Sequence, residues 1–151
     1  MAKKNIAKDI TINNRRARYD YELLETYEAG MVLMGSEVKS LRTGQATLGE
    51  AFARLKNGEL WLEGMHIPVY TDASYNNHDP LRSRKLLLNK RELSQLKKEV
   101  ERKGLTIVPV KLYFKAGWVK LQIAVGRGKK NYDKRKDEAK RDAKRQMESY
   151  R

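Results

Sequence analysis

The chain has 151 residues, no cysteine and a formal net charge of +14. This length suits one domain with an appendage, and the lack of cysteine excludes disulfides, thiolate metal sites and cysteine nucleophiles. Since no apolar run is long enough to span a membrane, the composition predicts a soluble, cytoplasmic protein whose partner is a polyanion.

A basic segment with interleaved aromatic residues, NRRARYDY, begins at Asn14, after an arm over residues 1–13 that we expect to be flexible. Guanidinium groups bind phosphates through paired hydrogen bonds, and aromatic rings stack on unpaired bases. An ordinary solvated surface is the alternative interpretation. The candidate RNA-binding residues of this segment are Asn14, Arg15, Arg16, Arg18 and Tyr19.

Two strands and a short helix are predicted after this segment. Residues 21–27 and 31–34 have the composition of strands, with a small Ala-Gly step between them. Ser36 is placed to cap a helix over residues 37–43, and Gly44 follows its last turn.

Two hairpins are predicted from turn dipeptides that precede a return strand. Asn57-Gly58 forms the first turn, and Ala116-Gly117 joins residues 105–115 to 118–125 so that Lys115 faces Trp118. Alternation then directs one row of each strand to the core. These rows are Ala53, Leu55, Leu60 and Leu62 in the first hairpin, and Val108, Val110, Leu112 and Phe114 opposite Val125, Ile123, Leu121 and Val119 in the second.

A longer helix is predicted between the hairpins. Asn89 is placed to cap it, with Glu92 three residues on, and Gly104 follows the last turn. Its narrow apolar stripe predicts that it lies on the sheet with a wide solvated face. A short apolar run over residues 65–70 adds a further strand, and the block before the helix is basic through Arg82, Arg84, Lys85, Lys90 and Arg91.

These elements predict a protein that is mainly β with a few helices. At least six strands in antiparallel hairpins, closed by one or two helices, are typical of a small barrel of the oligonucleotide-binding (OB) type. We place this barrel at residues 14–127 and a basic tail at 128–151.

The tail lacks the apolar material to fold alone. From Gly126 onward it has eleven Lys or Arg against five Asp or Glu. We therefore expect disorder in the free protein. Small or polarisable residues recur at helical spacing, so a helix is expected once bound phosphates neutralise the charge; they are Ala139, Ala143, Met147 and Tyr150.

Catalytic and cofactor motifs do not stand out in the sequence. His66 and His78 suit packed or solvated imidazoles better than a metal site, and no cofactor is predicted. An RNA-cleaving enzyme would need Glu28, Asp79 or His78 as acid and base, without supporting spacing. We predict a non-enzymatic protein. A general ribosome-associated protein is the stronger alternative, and membrane-surface binding through the tail is weaker.

Four motifs in this order carry a family resemblance: NRRARYDY, then YEAG with GSEVKSLR, then HDPLRSRKLLLNKREL, then GRGKKNYDKR. Together they are similar to the SmpB family, the SsrA-binding proteins of bacterial trans-translation. The resemblance implies an OB-fold body with a tail that is unstructured when free.

It also implies a function and partners. The body would bind the tRNA-like domain of tmRNA and escort it to the decoding site of a stalled ribosome, where the tail enters the empty mRNA channel of the small subunit and becomes helical. Alanyl-tRNA synthetase and elongation factor Tu would be indirect partners through tmRNA. Localisation would be cytoplasmic and ribosome-associated, with no membrane partner.

Site residues follow from the same motifs. Glu28 of YEAG and Leu87 and Asn89 of KLLLN would bind tmRNA, together with the candidates in the arginine-rich segment. Asn89 also has a structural reason to be at its position, because it is placed to cap the helix. The ribosome-binding residues of the tail would be Lys129, Lys130, Tyr132, Asp133, Lys134, Arg135, Lys140, Arg141, Lys144 and Arg145.

Overall fold

The structure, a computed structural model, describes residues 10–69, 77–129 and 131–149. Within these ranges the elements follow in the order β1 (Thr11–Asn13), α1 (Arg15–Asp20), β2 (Tyr21–Met31), α2 (Gly35–Leu41), β3 (Phe52–Lys56), β4 (Glu59–Glu63), β5 (Arg84–Leu87), α3 (Lys90–Lys103), β6 (Thr106–Lys115), β7 (Trp118–Gly128) and α4 (Asn131–Ser149).

The strands form one antiparallel sheet that closes on itself. Its order is β1-β6-β3-β4-β5-β2-β7, and β7 pairs back with β6, so six strands make a ring and β1 extends it. Side chains from every strand of the ring, with Leu41 and Leu96 from α2 and α3, meet in one buried core. The predicted class, mainly antiparallel β with a few helices, is confirmed.

Both predicted turns are present. The dipeptides Asn57-Gly58 and Ala116-Gly117 have positive φ at both positions, from 51 to 83°, which matches the twist of a tight hairpin. Their pairings are as predicted, with Arg54 opposite Trp61 and Lys115 opposite Trp118. Turn chemistry therefore fixes these hairpins locally.

The predicted register of the second hairpin holds from the turn back to Lys111 and is wrong from Val110 to the start of β6. A bulge lies between Pro109 and Lys111, so Ile107 rather than Val108 faces Val125. A bulge adds one unpaired residue to a strand, and proline lacks the amide hydrogen that a regular ladder needs. This is why four consecutive residues, 107–110, are buried instead of alternating.

The prediction of two strands over 21–27 and 31–34 is also wrong. One strand, β2, runs from Tyr21 to Met31 with an irregularity at Leu24. Gly30 pairs with Lys120 of β7 on one side and Leu87 of β5 on the other, so the small Ala-Gly step continues the ladder. Residues 65–69 make one isolated bridge, His66 with Thr47, in place of the expected strand, and Tyr70 lies outside the described residues.

The helix predicted over 37–43 begins earlier. It spans Gly35–Leu41 with Met34 at the N-cap position, and the Glu37 carboxylate accepts a hydrogen bond from the Met34 amide at 2.8 Å. Ser36 does not cap it. The Ser36 hydroxyl contacts Nδ1 of His78 at 2.9 Å instead.

Helix α3 has the predicted ends. The Asn89 side chain accepts a hydrogen bond from the Glu92 amide at 2.8 Å, and Gly104 closes the helix with φ of 64°. Leu96 is fully buried, while Leu93 and Val100 pack on the rim of the core. An N-cap asparagine and a C-terminal glycine are thus sufficient to locate this helix.

The ends of the chain differ from the expected boundaries. Strand β1, which pairs with residues 111–113, falls inside the arm predicted over 1–13, and residues 1–9 lie outside the described ranges.

Gly128 belongs to β7, and α4 follows as a helix of 19 residues. This is the conformation predicted for the ribosome-bound tail; disorder in the free protein stays a prediction. Among the described residues, none of the helices has both the length and the hydrophobic composition of a membrane-spanning segment.

Candidate nucleic-acid interface

Glu28 lies on the outer surface of the ring, where β2 and β6 flank β7. The Tyr113 hydroxyl of β6 donates a hydrogen bond to its carboxylate, and the Lys115 ammonium lies 3.4 Å from it. We call this surface the Glu28 face and define it as Glu28, Leu87, Tyr113, Lys115 and Lys120.

Electrostatics keep Glu28 ionised. The hydrogen bond from Tyr113, with the nearby Lys115 and Lys120 ammonium groups, lowers the pKa of Glu28. Conversely, partial burial and the same glutamate raise the pKa of Tyr113 to about 12. The tyrosine therefore remains a donor and the glutamate an acceptor throughout the physiological range.

Leu87 completes this face from β5. It pairs with Gly30 and is 50% exposed, although it is a leucine within the sheet. A methyl group at Gly30 would meet the Leu87 side chain at 3.6 Å and the Lys120 ammonium at 3.9 Å. These are ordinary contact distances, so an apolar and a cationic group lie directly over the strand at Gly30 without requiring glycine there.

Asn89 follows two residues after Leu87 and is exposed. Its side-chain oxygen is used by the helix cap, as the sequence predicts. Its amide group can still donate, so one residue can both cap α3 and contact a ligand beside Leu87.

In the sequence, Tyr113, Lys115, Trp118 and Lys120 alternate with the predicted core rows of their hairpin, which gives an outer face of interleaved basic and aromatic residues. Sequence reasoning did not connect this face with Glu28. The connection depends on strand order, because β7 lies between β2 and β6. Trp118, at the hairpin turn, is 73% exposed and offers a free ring for stacking at the edge of this face.

A buried ion pair joins β5 to α2 on the inner side of the sheet. Arg84, predicted as part of a basic RNA-binding block, is fully buried, and its Nε lies 2.6 Å from the Glu37 carboxylate. Arg82 contacts the same carboxylate at 2.5 Å. Burial opposes the ionisation of Glu37, but the hydrogen bonds from Arg82, the Met34 amide and Arg84 lower its pKa. These two arginines serve the fold rather than a ligand.

His78 is part of the same internal network. Its Nε2 lies 2.8 Å from the Ile67 carbonyl and its Nδ1 2.9 Å from the Ser36 hydroxyl. Since a carbonyl oxygen only accepts, Nε2 donates to it and Nδ1 is left to accept from the hydroxyl. The packed imidazole expected from the sequence is present.

The arginine-rich segment forms α1 at the other end of β2. Arg15, Arg16 and Arg18 are exposed, and Arg16 pairs with Glu50. Asn14 is only 7% exposed, and its amide donates to the carbonyls of Pro109 and Leu48. Its burial gives Asn14 a structural role and removes it from the RNA-facing surface that the sequence suggested.

The Tyr19 side chain contacts the tail helix α4. Its hydroxyl donates to Glu138 of α4, and the charged groups of Lys134 and Arg141 lie 5.6 and 5.2 Å from the centre of its ring. Beside it, Lys134 forms an ion pair with Asp20 at 3.2 Å. Lys129 donates from its amide to the Asp20 carbonyl and from its ammonium to the Arg18 carbonyl, both at 2.8 Å.

We call this contact the tail junction and define it as Arg18, Tyr19 and Asp20 with Lys129, Lys134, Glu138 and Arg141. The remaining described tail candidates are exposed along α4: Arg135, Lys140, Lys144 and Arg145. Lys130 lies outside the described residues, and the side chains of Tyr132 and Asp133 do as well.

The predicted tmRNA-binding residues thus form two groups rather than one surface. Tyr21 and Glu28 are seven residues apart on β2, which corresponds to roughly 24 Å along a strand. One group contains Glu28, Leu87 and Asn89. The other, on α1, contacts the tail.

Comparison with known proteins finds relatives that cover most of the chain. A family model described as SmpB protein matches residues 11–151. The SsrA-binding protein of Salinispora arenicola is 56% identical over 138 residues, covering 91% of this chain and 87% of its own length. That of Nostoc punctiforme is 50% identical over 155 residues, covering 99% and 100%.

A solved structure agrees with them. A chain from "tmRNA-SmpB: a journey to the center of the bacterial ribosome" is 54% identical and superposes with a TM-score of 0.67, covering 80% of this chain and 85% of that one. With a family model over nearly the whole length and relatives at this identity, the chain belongs to the SmpB protein family.

Proposed function

We propose that this protein binds the tRNA-like domain of tmRNA and delivers it to stalled ribosomes for trans-translation, without catalysing a reaction itself. Its membership of the SmpB family, with relatives named SsrA-binding protein, is the single observation that carries this proposal. The Glu28 face suits such a ligand because it combines a fixed acceptor, exposed apolar groups and lysines on one surface.

The Glu28 face would make both kinds of contact that RNA recognition needs. Lys115 and Lys120 would bind phosphates, which sets affinity. The Glu28 carboxylate would accept from a base amine or a ribose hydroxyl, while Leu87 and Trp118 would pack on unstacked bases. These contacts suit a folded RNA with exposed loops better than a regular duplex.

The tail would supply the second activity. On the exposed side of α4, Arg135, Lys140, Lys144 and Arg145 present cations with little apolar surface. A groove lined by RNA phosphates, such as an mRNA channel without its message, would neutralise them. An mRNA that fills the channel would compete for the same space, which accounts for selectivity toward stalled ribosomes.

A binding and a tagging assay test the proposal together. Purified protein is titrated against transcribed tmRNA, with an elongator tRNA as competitor, and is then added with tmRNA to ribosomes stalled on a truncated message. We expect preferential binding of tmRNA and addition of the tag peptide. Equal affinity for both RNAs, or tagging that does not require the protein, would overturn it.

A pull-down distinguishes this function from a general ribosome-associated role. The full chain should retrieve one dominant small stable RNA from cells. Recovery of bulk ribosomal RNA alone would favour the alternative.

A further inference from the structure

An open groove of about 420 Å³ lies between α3 and the turn of the first hairpin. Two leucines, Leu55 of β3 and Leu93 of α3, line it and are only partly buried against the core. Their remaining surface gives the groove an apolar lining that solvent can reach. We call it the α3 groove and define it as Leu55, Asn57, Lys90, Leu93, Ser94 and Lys97.

Two lysines of the α3 groove project from one side of the helix. Lys90, Ser94 and Lys97 follow one another at intervals of four and three residues, so the two lysines share a face and lie roughly 10 Å apart along the axis. Both are exposed, and neither forms an ion pair with a residue in the described parts of the chain. With Glu101 as the one carboxylate that lines the groove, its net charge is positive, which suits a phosphate backbone.

Other cations of the basic block before α3 already have partners in the fold. Arg82 and Arg84 bind the Glu37 carboxylate, and Lys85 pairs with a glutamate of β4. Lys90 belongs to the same block in the sequence, but its ammonium is available to a ligand. The sequence pattern that predicts RNA binding is therefore realised at the start of α3.

The α3 groove begins beside the Glu28 face. Lys90 directly follows Asn89 and lies three residues after the half-exposed Leu87 of that face. An RNA strand that leaves the Glu28 face past Asn89 would reach Lys90 first and Lys97 two helical turns later. Proteins bind single strands in this way, with a cationic groove along the backbone and surfaces on which bases pack.

We propose that the α3 groove is a second contact surface for tmRNA, which takes an unpaired strand adjacent to the segment bound on the Glu28 face. Lys90 and Lys97 would bind phosphates of this strand, and Leu55 and Leu93 would pack on one of its bases. The inference rests on the proposed function and adds a binding surface to it. Affinity for tmRNA would then depend on which side of α3 carries the cations.

Two double variants of equal charge test this dependence. Lys90→Ala with Lys97→Ala removes two cations from the α3 groove, and Lys98→Ala with Arg102→Ala removes two exposed cations from the same helix outside it. We expect the first to weaken tmRNA binding by about tenfold or more and to lower the salt slope by about two, since two phosphate contacts are lost. The second should stay within about threefold of the parent chain.

The same titrations can overturn the proposal. Equal losses in the two double variants would show a general effect of charge, and unchanged affinity in the first would show that the α3 groove does not contact tmRNA. Urea unfolding of both variants checks that the body is intact.

A crosslink identifies the RNA that lies in the α3 groove. The sequence contains no cysteine, so a benzophenone attached to Ser94→Cys, between the two lysines, or to Lys98→Cys outside the groove probes one side of α3 at a time. On ribosomes loaded with tmRNA, the label at position 94 should crosslink to unpaired nucleotides of tmRNA, and the label at position 98 much less. Crosslinks from position 94 to ribosomal RNA alone would overturn the proposal.

Glu28→Ala separates this inference from the proposed function. If it weakens tmRNA binding while the variant without Lys90 and Lys97 binds normally, the Glu28 face stands and the α3 groove is not part of the site. Failure of the parent chain to bind tmRNA would instead refute the proposed function.

Discussion

The Glu28 face and the tail junction are built from the same pair of residue types and differ in what holds the pair together. In each, a tyrosine hydroxyl donates to a glutamate beside lysines. On the Glu28 face, both residues project from strands that flank β7, so their positions are set by backbone pairing. At the tail junction, they belong to two helices that contact each other through side chains, next to the backbone hydrogen bond from Lys129 to Asp20.

Because of this difference, the Glu28 face is organised before a ligand binds, whereas the contacts of the tail junction can break without unfolding the ring. An ion pair as exposed as that of Lys134 with Asp20 contributes roughly 0.2 to 1 kcal/mol, less at high salt. Strand pairing around β7 is lost only when the ring unfolds. We therefore propose that the rigid region recognises tmRNA and that the junction adjusts to the ribosome.

Removing the tail should have the largest effect on tagging, and it separates the activity of the tail from that of the Glu28 face. A chain that ends at Arg127 keeps the ring and the Glu28 face. We expect tmRNA affinity to be nearly intact while tagging on stalled ribosomes is abolished, because α4 and its cations are gone. Gel-shift titration and a tagging assay measure the two activities. Parallel loss of both would contradict the division.

Glu37→Gln tests how much the buried ion pair with Arg84 stabilises the body that carries the Glu28 face. Breaking a buried ion pair by removing one partner costs about 3 to 5 kcal/mol, because the buried charge of Arg84 is left unpaired. Urea unfolding at neutral pH measures the loss. Glu50→Gln, which breaks the exposed pair with Arg16, is the control and should cost less than about 1 kcal/mol.

The pH dependence has a definite sign. The pKa of Glu37 is lowered in the folded protein from an ordinary value of 4.5. Its ionised form therefore stabilises the fold above that value, and this stability is lost as the pH falls through the lower, folded pKa. The difference between the parent chain and Glu37→Gln should be full at pH 7 and shrink in acid. A difference that persists unchanged at low pH would show that the charge is not its cause.

Glu28→Ala should weaken tmRNA binding by about tenfold if its contact is specific. Lys115→Ala is the matched variant on the same face. Losing a phosphate contact lowers the slope of log affinity against log salt by about one, whereas losing a base or sugar contact leaves the slope unchanged. Titrations at several salt concentrations distinguish the two residues. Equal slopes in both variants would contradict the assigned roles.

Local signals were sufficient to predict the hairpins and α3, because turn dipeptides, caps and alternation act within a few residues. The register of β6 before Lys111 could not be predicted in this way. It depends on a bulge at Pro109, whose position is set by how β6 packs against β1, β3 and β7 together. The start of α2 was missed because the Ser36 hydroxyl binds His78, a partner 42 residues away.

The candidate site shows the same limit. The family motifs identified Glu28, Leu87 and Asn89 as candidates for tmRNA binding. Charge alone could not distinguish an arginine that would contact RNA from one that forms an ion pair with Glu37. Arg84 and Asn14 carry suitable groups and are buried. Tyr19 has a suitable ring and contacts the tail. Composition gives the chemistry of a residue, and only the closed ring determines which side of the molecule it faces.

Asn89 allows the smallest and most selective change, since its structural and ligand-binding roles use different atoms. Its oxygen caps α3, and aspartate caps a helix about as well as asparagine. Asn89→Asp should therefore leave the free energy of unfolding nearly unchanged while weakening tmRNA binding, because a carboxylate replaces the donor that would face the RNA. Asn89→Ala should lose both, with a stability cost of about 1 kcal/mol. If Asn89→Asp binds tmRNA as tightly as the parent chain, the cap is the whole role of Asn89, and the Glu28 face ends at Leu87.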